Sequence, residues 1–374
     1  MNIITYNYPN VILSQGTYNI PTLPLPMELE NKKVMKKTSE ARAALAELKG
    51  VAISMPNQNI LIKTLSLQEA KDSSAIENIV TTNDELYQSD EKARYFVSHA
   101  AKEVHLYATA LIRGFSEIKK SGLLRNNLIK SMQSELLEND SGFRSQAGTT
   151  LKEQITGNVI YTPPQSLAQI ENAMKNLEDF INDKDLSDLD ALVKMAIIHH
   201  QFESIHPFFD GNGRTGRMIN VLYLVHQQLL DTPILYLSRY INHNKQEYYR
   251  LLQAVRDQGI WEEWIMFMLE GICHTSRQTI CLIEEIKIIL QKHKNTMRTK
   301  IANIYTQDLL NIMFNHPYTK IAHVVDELKV SRQTAAKCLD AVTEIGLMQK
   351  VRIQNSNYYF NNDLIKCLSN VHDM

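Results

Sequence analysis

The chain has 374 residues, of which 44% are hydrophobic and 22% are charged, and its formal net charge is -1. These values are typical of a globular protein with two or three domains. A charge close to zero gives no overall field that favours nucleic acid or anionic lipid, so any contact with a polyanion must come from a local cluster.

The cysteines and the N-terminus indicate where the protein resides. The four cysteines lie far apart, without the paired spacing of a zinc ribbon or a disulfide scaffold. The N-terminal residues MNIITYNYPN lack the basic stretch and apolar core of a signal peptide, and no apolar run is long enough to span a bilayer. We therefore expect a soluble, cytoplasmic protein that does not contact a membrane.

The N-terminal third is predicted to be an arm followed by helices. Residues 1–27 contain four prolines, which favour an extended arm on the surface. Helical periodicity covers Met27 to about Val80, and the segment ARAALAELKG predicts a helix that ends at Gly50, the glycine just beyond its last turn. A further helical region is predicted from about Glu85 to Lys120.

A short β segment interrupts the helices. The stretch TTLKEQITGNVIYTPP (149–164) has β-branched residues on both sides of Gly157, which predicts a hairpin that turns there. Helical periodicity returns at Ser166 and continues, with breaks, to about Lys294. The predicted fold class is therefore mostly α, with small β pieces.

Residues 298–374 have the pattern of a winged helix-turn-helix domain. A first helix ends near Pro317, Thr319 is predicted to cap a second, and Ser331 is predicted to cap a third that continues to Gly346. The segments LMQKV and NYYF are predicted to be the two strands of a wing.

The charge of the third helix leaves the partner of this domain open. Arg332 and Lys337 are balanced there by Asp340 and Glu344. Strong non-specific affinity for DNA requires several cations that neutralise phosphates. DNA binding therefore stays open beside a role in protein interaction or dimerisation, and we expect a homodimer.

The sequence HPFFDGNGRTGR (206–217) connects two apolar helical segments, 189–205 and 217–230. Pro207 is expected to end the first helix, because the residue before a proline disfavours the α region. The run from Gly211 to Gly213 can adopt positive φ at little cost. Such a turn, followed by the free amides at a helix N-terminus, predicts a binding nest for anions.

The charged residues of this loop suit a polyphosphate. Arg214 and Arg217 fall on one side of the first helical turn, and arginine binds phosphate oxygens bidentately. Asp210, at the edge of the nest, is placed to hold Mg²⁺ beside the phosphates, and His206 can act as a general base. A purely structural loop does not explain this set, because arginines in the first turn oppose the helix dipole unless an anion is present.

The loop matches the signature of the Fic family, H-x-F-x-D/E-G-N-G-R-x-x-R, at every defined position, and the resemblance covers about residues 118–268. It implies a helical fold that transfers a nucleotide monophosphate, usually AMP from ATP, to a hydroxyl of a protein target, which includes the chain itself. It assigns to His206 the deprotonation of a target Ser, Thr or Tyr, and to Asp210 the binding of Mg²⁺, with Mn²⁺ as an alternative. The glycine nest and the two arginines would bind the α-, β- and γ-phosphates.

A second motif lies upstream, in KDSSAIENIVTT (71–82). Ser73, Glu77 and Asn78 resemble the inhibitory motif of the family, S/T-x-x-x-E-G/N, whose glutamate pairs with the second signature arginine, here Arg217. That pair would block productive placement of the γ-phosphate. The alternative is a capping box formed by Ser74 and Glu77, which merely starts a helix. Given the signature downstream, we favour the inhibitory interpretation.

Two further segments follow from the resemblance. The hairpin resembles the flap of the family, which aligns a target by β-pairing, although an ordinary surface hairpin is the alternative; its target-binding residues would be Asn158, Val159, Ile160 and Tyr161. Tyr249, or Tyr248, is a candidate to contact the nucleotide, and core packing is an equally supported role. The full set expected to bind nucleotide is Glu77, His206, Gly211, Asn212, Gly213, Arg214, Thr215, Gly216, Arg217 and Tyr249.

His199 and His200 precede the loop on a helix. They lack partners at zinc spacing other than Glu203, so packing is predicted rather than metal binding.

The leading hypothesis is a protein adenylyltransferase inhibited by its own Glu77. Alternatives are transfer of another nucleotide or of phosphate, removal of AMP from a modified protein, and a nucleotide-sensing regulator that binds DNA. The predicted divisions are an arm and inhibitory region (1–117), a catalytic core (118–268), a helical connector (269–297) and a winged-helix-like domain (298–374).

Overall fold

The computed structural model describes residues 4–6, 18–89, 96–153, 157–353 and 356–370. These residues form a mostly helical fold, as the sequence predicts, with two small sheets of three strands each, where a two-stranded hairpin and a two-stranded wing were predicted. Most of the arm predicted over residues 1–27 lies outside the described residues. Among the described residues, none of the helices has the length and apolar character needed to cross a bilayer.

The N-terminal helices form one side of the core. They are α1 (Lys32–Ile53), α2 (Gln58–Ile76), α3 (Asn83–Gln88) and α4 (His99–Ser121). The side chain of Asn31 caps α1 by accepting hydrogen bonds from two amides of its first turn. The predicted helix end at Gly50 is wrong, because Gly50 lies inside α1. Leu48 and Ala52 are buried on either side of it, and this packing carries the helix past the glycine to Ile53.

The central part of the chain supplies the core helices, which pack around α7 and α8. Every residue of α7 from Leu192 to Ile205 is buried, which explains its continuous apolar sequence. The elements are α5 (Asn126–Leu137), β2 (Leu151–Glu153), β3 (Val159–Tyr161), α6 (Leu167–Asn182), α7 (Ala191–Ile205), α8 (Asn212–His226), α9 (Leu237–His243), α10 (Lys245–Gln258) and α11 (Trp261–Lys300).

The predicted hairpin is present. Strands β2 and β3 pair antiparallel, and Gly157 has a φ of 70°, which suits glycine. Residues 154–156 of the turn lie outside the described residues. The sequence did not predict a third strand, β1 (Ile4–Tyr6), which pairs parallel with β2 and gives the order β1-β2-β3.

Helix α11 is a single helix of 40 residues, and it runs from the core into the C-terminal region. The division predicted between residues 268 and 269 lies inside it, and residue 297 lies in its last turn. The connector predicted over 269–297 is thus continuous helix with the end of the core.

The C-terminal region has the predicted winged-helix pattern, and its sheet has the antiparallel order β4-β6-β5. Ser331 caps α14 as predicted. Thr319 does not cap a helix, contrary to prediction; it pairs with Tyr359 across the sheet and is buried. The elements are α12 (Gln307–Asn315), β4 (Tyr318–Lys320), α13 (Ile321–Leu328), α14 (Arg332–Glu344), β5 (Gln349–Ile353), β6 (Ser356–Phe360) and α15 (Asn362–Asn370).

This region packs directly on the N-terminal helices. Helix α12 lies against α2, and α15 lies against α11. The hydroxyl of Tyr318 donates a hydrogen bond of 3.0 Å to the carbonyl of Ser89, and the Asn83 amide donates one of 3.0 Å to Ser369 Oγ. The helix that carries Ser73 therefore contacts the C-terminal region on one side and the core on the other.

Candidate active site

His206 lies where α7 ends. It adopts a left-handed conformation, with a φ of 50°, and its amide closes the last turn by donating to the carbonyl of Phe202. The residue is 1% exposed. Burial, and then the positive charges of Arg144 and Arg256, lower the pKa of His206 to about 3. The ring is therefore neutral near pH 7, which is the state that a general base requires.

The loop after His206 is closed by Asn212. Its side chain accepts a hydrogen bond of 2.8 Å from the amide of Phe208 and donates one of 2.8 Å to the carbonyl of the same residue. Gly211 has a φ of 76° and precedes α8. The positive φ expected from Gly211 to Gly213 is found at Gly211 alone, because α8 already begins at Asn212. The anion nest thus consists of one left-handed residue and the free amides of a helix N-terminus.

Glu77 contacts both signature arginines. Its Oε1 is 2.7 Å from Arg217 Nη2, and its Oε2 is 2.9 Å from Arg214 Nε. The side chains of the two arginines are only 3% and 2% exposed. Burial raises the pKa of Glu77, but the charges of Arg214 and Arg217 outweigh it and lower that pKa. The carboxylate is therefore ionised and offsets part of the charge of two buried cations.

Ser73 completes the contact with Arg217. Arg217 Nε donates a hydrogen bond of 2.7 Å to Ser73 Oγ, and Nη2 donates one of 3.0 Å to the carbonyl of Ser73. Ser73 lies in the last turn of α2, Glu77 is the residue that ends the helix, and Asn78 follows with a φ of 63°. The capping-box alternative for Ser74 and Glu77 is wrong, because the helix ends at this segment and does not begin there.

Gly213 leaves the space that Glu77 occupies. A Cβ at this position would lie 2.6 Å from Glu77 Oε1 and 2.9 Å from Arg217 Nη1. Both distances are too short for real contacts, so a larger residue would displace the glutamate. The position of the Glu77 carboxylate therefore requires a glycine at residue 213 of the signature.

Comparison with known proteins agrees with this geometry. The family described as "Fic/DOC family N-terminal" matches residues 35–116, and "Fic/DOC family" matches residues 123–224, which contain the loop. The chain belongs to the Fic/DOC family. Its C-terminal region, residues 289–364, matches "Protein adenylyltransferase SoFic-like, C-terminal domain".

Several Fic/DOC relatives are similar over parts of the chain. A probable protein adenylyltransferase of Aquifex aeolicus is 26% identical over 187 residues, which are 48% of this chain and 53% of that protein. The protein adenylyltransferase fic-1 of Caenorhabditis elegans is 36% identical over 56 residues, 15% of this chain and 11% of that protein. The matches thus span about half of the first relative and about a tenth of the second.

Solved structures share the Fic fold. A Fic family protein from Desulfovibrio desulfuricans G20 aligns with a TM-score of 0.57 and 18% identity, over 90% of this chain and 98% of that one. A fragment of Fic-1 from Caenorhabditis elegans aligns with a TM-score of 0.50 and 18% identity, over 67% and 71% of the two chains. At these identities the likeness concerns the fold alone.

Asp210 is the one residue of the signature whose side chain is largely in solvent, at 59% exposed. It accepts a hydrogen bond of 2.6 Å from the amide of Gly211 and lies 3.7 Å from Arg214 Nη2. Among the described residues, no group of three or more His, Cys, Asp or Glu side chains converges to hold a metal. A single carboxylate beside a phosphate nest fits Mg²⁺, because that ion takes its remaining ligands from phosphate and water.

Thr215 and Gly216 lie in the first turns of α8, and Gly216 is on the side that packs against α7. Thr215 is buried, and a Cβ at Gly216 would lie 2.7 Å from Glu203 Oε1. Burial raises the pKa of Glu203 to about 7. Gly216 therefore permits close packing of the two helices that flank the loop.

The flap residues differ in exposure. Asn158 and Val159 are exposed and Ile160 is half-buried. Tyr161 points inward instead: its hydroxyl donates a hydrogen bond of 2.8 Å to the carbonyl of Ser204, and the Arg256 guanidinium lies 4.2 Å from its ring centre. Tyr161 thus joins the flap to α7, whereas Asn158 and Val159 face solvent, and their contact with a target stays a prediction.

The aromatic candidates for nucleotide binding are buried. Tyr248 is 1% exposed and its hydroxyl is 2.8 Å from His199 Nε2, so it belongs to the core. Tyr249 is 4% exposed, and its contact with nucleotide stays a prediction. His199 and His200 are buried and pack against Trp264, as predicted for packing residues.

Sequence reasoning missed two charged residues of the site. The Nε of Arg144 donates a hydrogen bond of 2.8 Å to the carbonyl of His206, and the same guanidinium contacts the carbonyl of Pro164, just beyond the flap. Glu103, on α4, lies 2.5 Å from Arg214 Nη1. Both residues are far from the signature in sequence and match no motif, so no sequence signal identified them.

Proposed function

We propose that this chain is a protein adenylyltransferase that moves AMP from ATP to a Ser, Thr or Tyr hydroxyl of a protein, including its own. One observation carries the proposal: two buried arginines at a helix N-terminus both contact one carboxylate of the same chain, Glu77. Buried cations of this kind require an anion, and the adjoining nest of amides suits a chain of phosphates.

The residues divide the reaction between them. His206, neutral at pH 7, accepts the proton as the target oxygen attacks the α-phosphorus. The bond between the α-phosphorus and the bridging oxygen of the β-phosphate breaks, and pyrophosphate leaves with the bond electrons. Arg214, Arg217 and the α8 amides stabilise its charge. Asp210 would hold Mg²⁺, which supplies further charge neutralisation when bound.

We propose that Glu77 inhibits this activity. Its two oxygens contact Arg217 and Arg214, the groups that would otherwise bind the outer phosphates. A carboxylate and a phosphate compete for the same guanidinium edges. Nucleotide that binds while Glu77 stays in place would therefore lack the contacts that align the α-phosphorus with the target.

Substitution of Glu77 tests the activity and the inhibition together. Wild type, Glu77→Gly, Glu77→Gly/His206→Ala and the surface control Glu171→Gln are incubated with Mg²⁺ and ATP, and the gain of AMP is read by intact mass. We expect Glu77→Gly to gain AMP at least about tenfold faster than wild type, since a charge-assisted contact is lost. The His206→Ala double variant should gain none.

Parallel reactions separate the alternatives. UTP and GTP replace ATP in one set, and a gain of phosphate mass is monitored in all. Equal or slower AMP gain in Glu77→Gly than in wild type contradicts inhibition by Glu77. Preference for another nucleotide, or a gain of phosphate alone, contradicts adenylyl transfer.

A further inference from the structure

Arg214 is enclosed by three carboxylates, one at each nitrogen of its guanidinium. Its Nε is 2.9 Å from Glu77 Oε2, its Nη1 is 2.5 Å from Glu103 Oε2, and its Nη2 is 3.7 Å from Asp210 Oδ1. Glu77 belongs to the inhibitory motif and Asp210 to the signature. Glu103 belongs to neither, and yet it makes the shortest of the three contacts.

Glu103 and Glu77 lie on different helices and at different positions in them. Glu77 ends α2 and is followed by the turn at Asn78, whereas Glu103 lies within α4. Helix α4 packs against α2, α5 and α8, and α8 is the helix that carries Arg214. The other oxygen of Glu103, Oε1, is 2.9 Å from His99 Nδ1, one helical turn earlier. Glu103 is therefore held by a different element from Glu77, within a helix that packs against α8.

The position of the contact matters because a guanidinium has distinct edges. Nε and Nη2 form one edge that binds two oxygens of a phosphate at once. Glu103 holds Nη1, which lies outside that edge. Without Glu77 at Nε, a phosphate would meet an edge whose Nη2 lies 3.7 Å from Asp210 Oδ1, and Glu103 would still contact Nη1.

We propose that Glu103 is a positioning residue, which holds Arg214 so that this edge faces the outer phosphates of ATP. The proposal rests on the proposed function, because it requires a polyphosphate at Arg214. An arginine side chain that is already held in place loses less conformational entropy when phosphate binds, so the entropic cost of binding is smaller. Glu103 would thus strengthen the binding of ATP although its charge is negative.

The opposite role makes the opposite prediction. Three carboxylates surround two arginines, so Glu103 could instead act as a second inhibitor that repels phosphate. Its removal would then tighten ATP binding. The affinity for ATP therefore distinguishes the two roles by the sign of its change.

The experiment measures nucleotide affinity in the Glu77→Gly/His206→Ala background, which the proposed mechanism leaves unable to transfer AMP to itself. Isothermal titration gives the Kd of ATP and of AMP, with Mg²⁺ present, for that parent, Glu103→Gln, Glu103→Asp and the control Glu117→Gln. Glu117 lies on the same helix and forms an exposed pair with Lys120. We expect Glu103→Gln to raise the Kd of ATP about five- to tenfold, and the control to change it less than about twofold.

AMP and the aspartate variant exclude simpler explanations. AMP lacks the phosphates that Arg214 would bind, so its Kd should stay within about twofold of the parent, whereas general damage to the site would weaken both nucleotides. Glu103→Asp keeps the charge but shortens the side chain, so it should also weaken ATP. It also serves as the test if Glu103→Gln does not fold.

Two results would overturn the proposal. One is an unchanged or lower Kd of ATP in the Glu103 variants, and the other is a parallel rise for ATP and AMP. Because binding is measured without transfer, a failure of AMP transfer to protein would not affect this test.

Discussion

At the scale of single residues, the site depends on groups whose charge state is set by burial and by neighbouring charges. His206 is kept neutral, while Glu77 is kept charged by the two arginines beside it. The signature predicted His206, Arg214 and Arg217 from sequence, because their order along the chain defines the loop. It did not predict that Glu77 contacts both arginines, since the spacing of S-x-x-x-E names one partner only.

The lowered pKa of His206 predicts a loss of stability in acid. The unfolded chain takes up this proton near pH 6.5 and the folded chain only near pH 3, so stability falls as the pH drops through that window. Between pH 7 and pH 5, protonation of this histidine in the unfolded chain lowers the free energy of unfolding by about 2 kcal/mol. Urea unfolding at pH 7 and pH 5 should therefore show that His206→Gln loses about 2 kcal/mol less of its free energy of unfolding than wild type does.

An exposed histidine gives the control for that measurement. His274→Gln changes a solvent-exposed side chain on α11 and should lose as much stability as wild type. If His206→Gln and wild type lose equal stability, His206 is not held neutral by the fold.

At the scale of elements, the sequence predicted most helices and the hairpin, because their periodicity and turn residues are local. The errors occurred where packing decides. Gly50 resembles a helix end, but buried neighbours continue α1 through it. Thr319 has the residue type of a cap, but pairing with Tyr359 places it in a strand. Strand β1 depends on a partner about 150 residues away, which no local pattern reveals.

The close approach of α8 to the end of α2 predicts a coupling between Gly213 and Glu77. Gly213→Ala places a methyl group in the space of Glu77 Oε1 and should destabilise the protein by about 1–3 kcal/mol. In the Glu77→Gly background, Gly213→Ala should destabilise the protein by less, because the carboxylate that the methyl group would contact is absent. Thermal unfolding of the four proteins measures this difference as a double-mutant cycle.

Gly50→Ala is the matched control for that cycle. Nothing lies within 4 Å of a Cβ at this position, so alanine should stabilise α1 by roughly 0.5–1 kcal/mol in either background. Equal costs of Gly213→Ala with and without Glu77 would show that the two residues do not compete for space.

At the scale of the whole molecule, the SoFic-like C-terminal domain adjoins α2, the helix that carries Ser73 and ends at Glu77. Its helix α12 lies on α2, and Tyr318 binds the Ser89 carbonyl just beyond α3. The winged-helix pattern was predicted from sequence, but its docking was not, because the contacts join segments that are more than 200 residues apart. A partner on this domain has a physical route to α2.

If Glu77 inhibits the activity as proposed, weakening the contact between Tyr318 and Ser89 should weaken that inhibition. Tyr318→Phe removes a buried hydroxyl and should lower the free energy of unfolding by about 1 kcal/mol. We expect it also to raise basal AMP transfer severalfold. Tyr305→Phe is the control, because that hydroxyl contacts Gln307 within the same domain. Equal transfer by Tyr318→Phe and wild type would indicate that the domain is not coupled to inhibition.

The 40-residue helix α11 fixes the distance between the C-terminal domain and the core. A helix of that length spans about 60 Å. It joins the domain to the core as one continuous helix and not as a flexible linker. Helix α1 packs against it. If this domain binds a protein, the continuous helix would hold that protein at a fixed distance from the proposed base, His206.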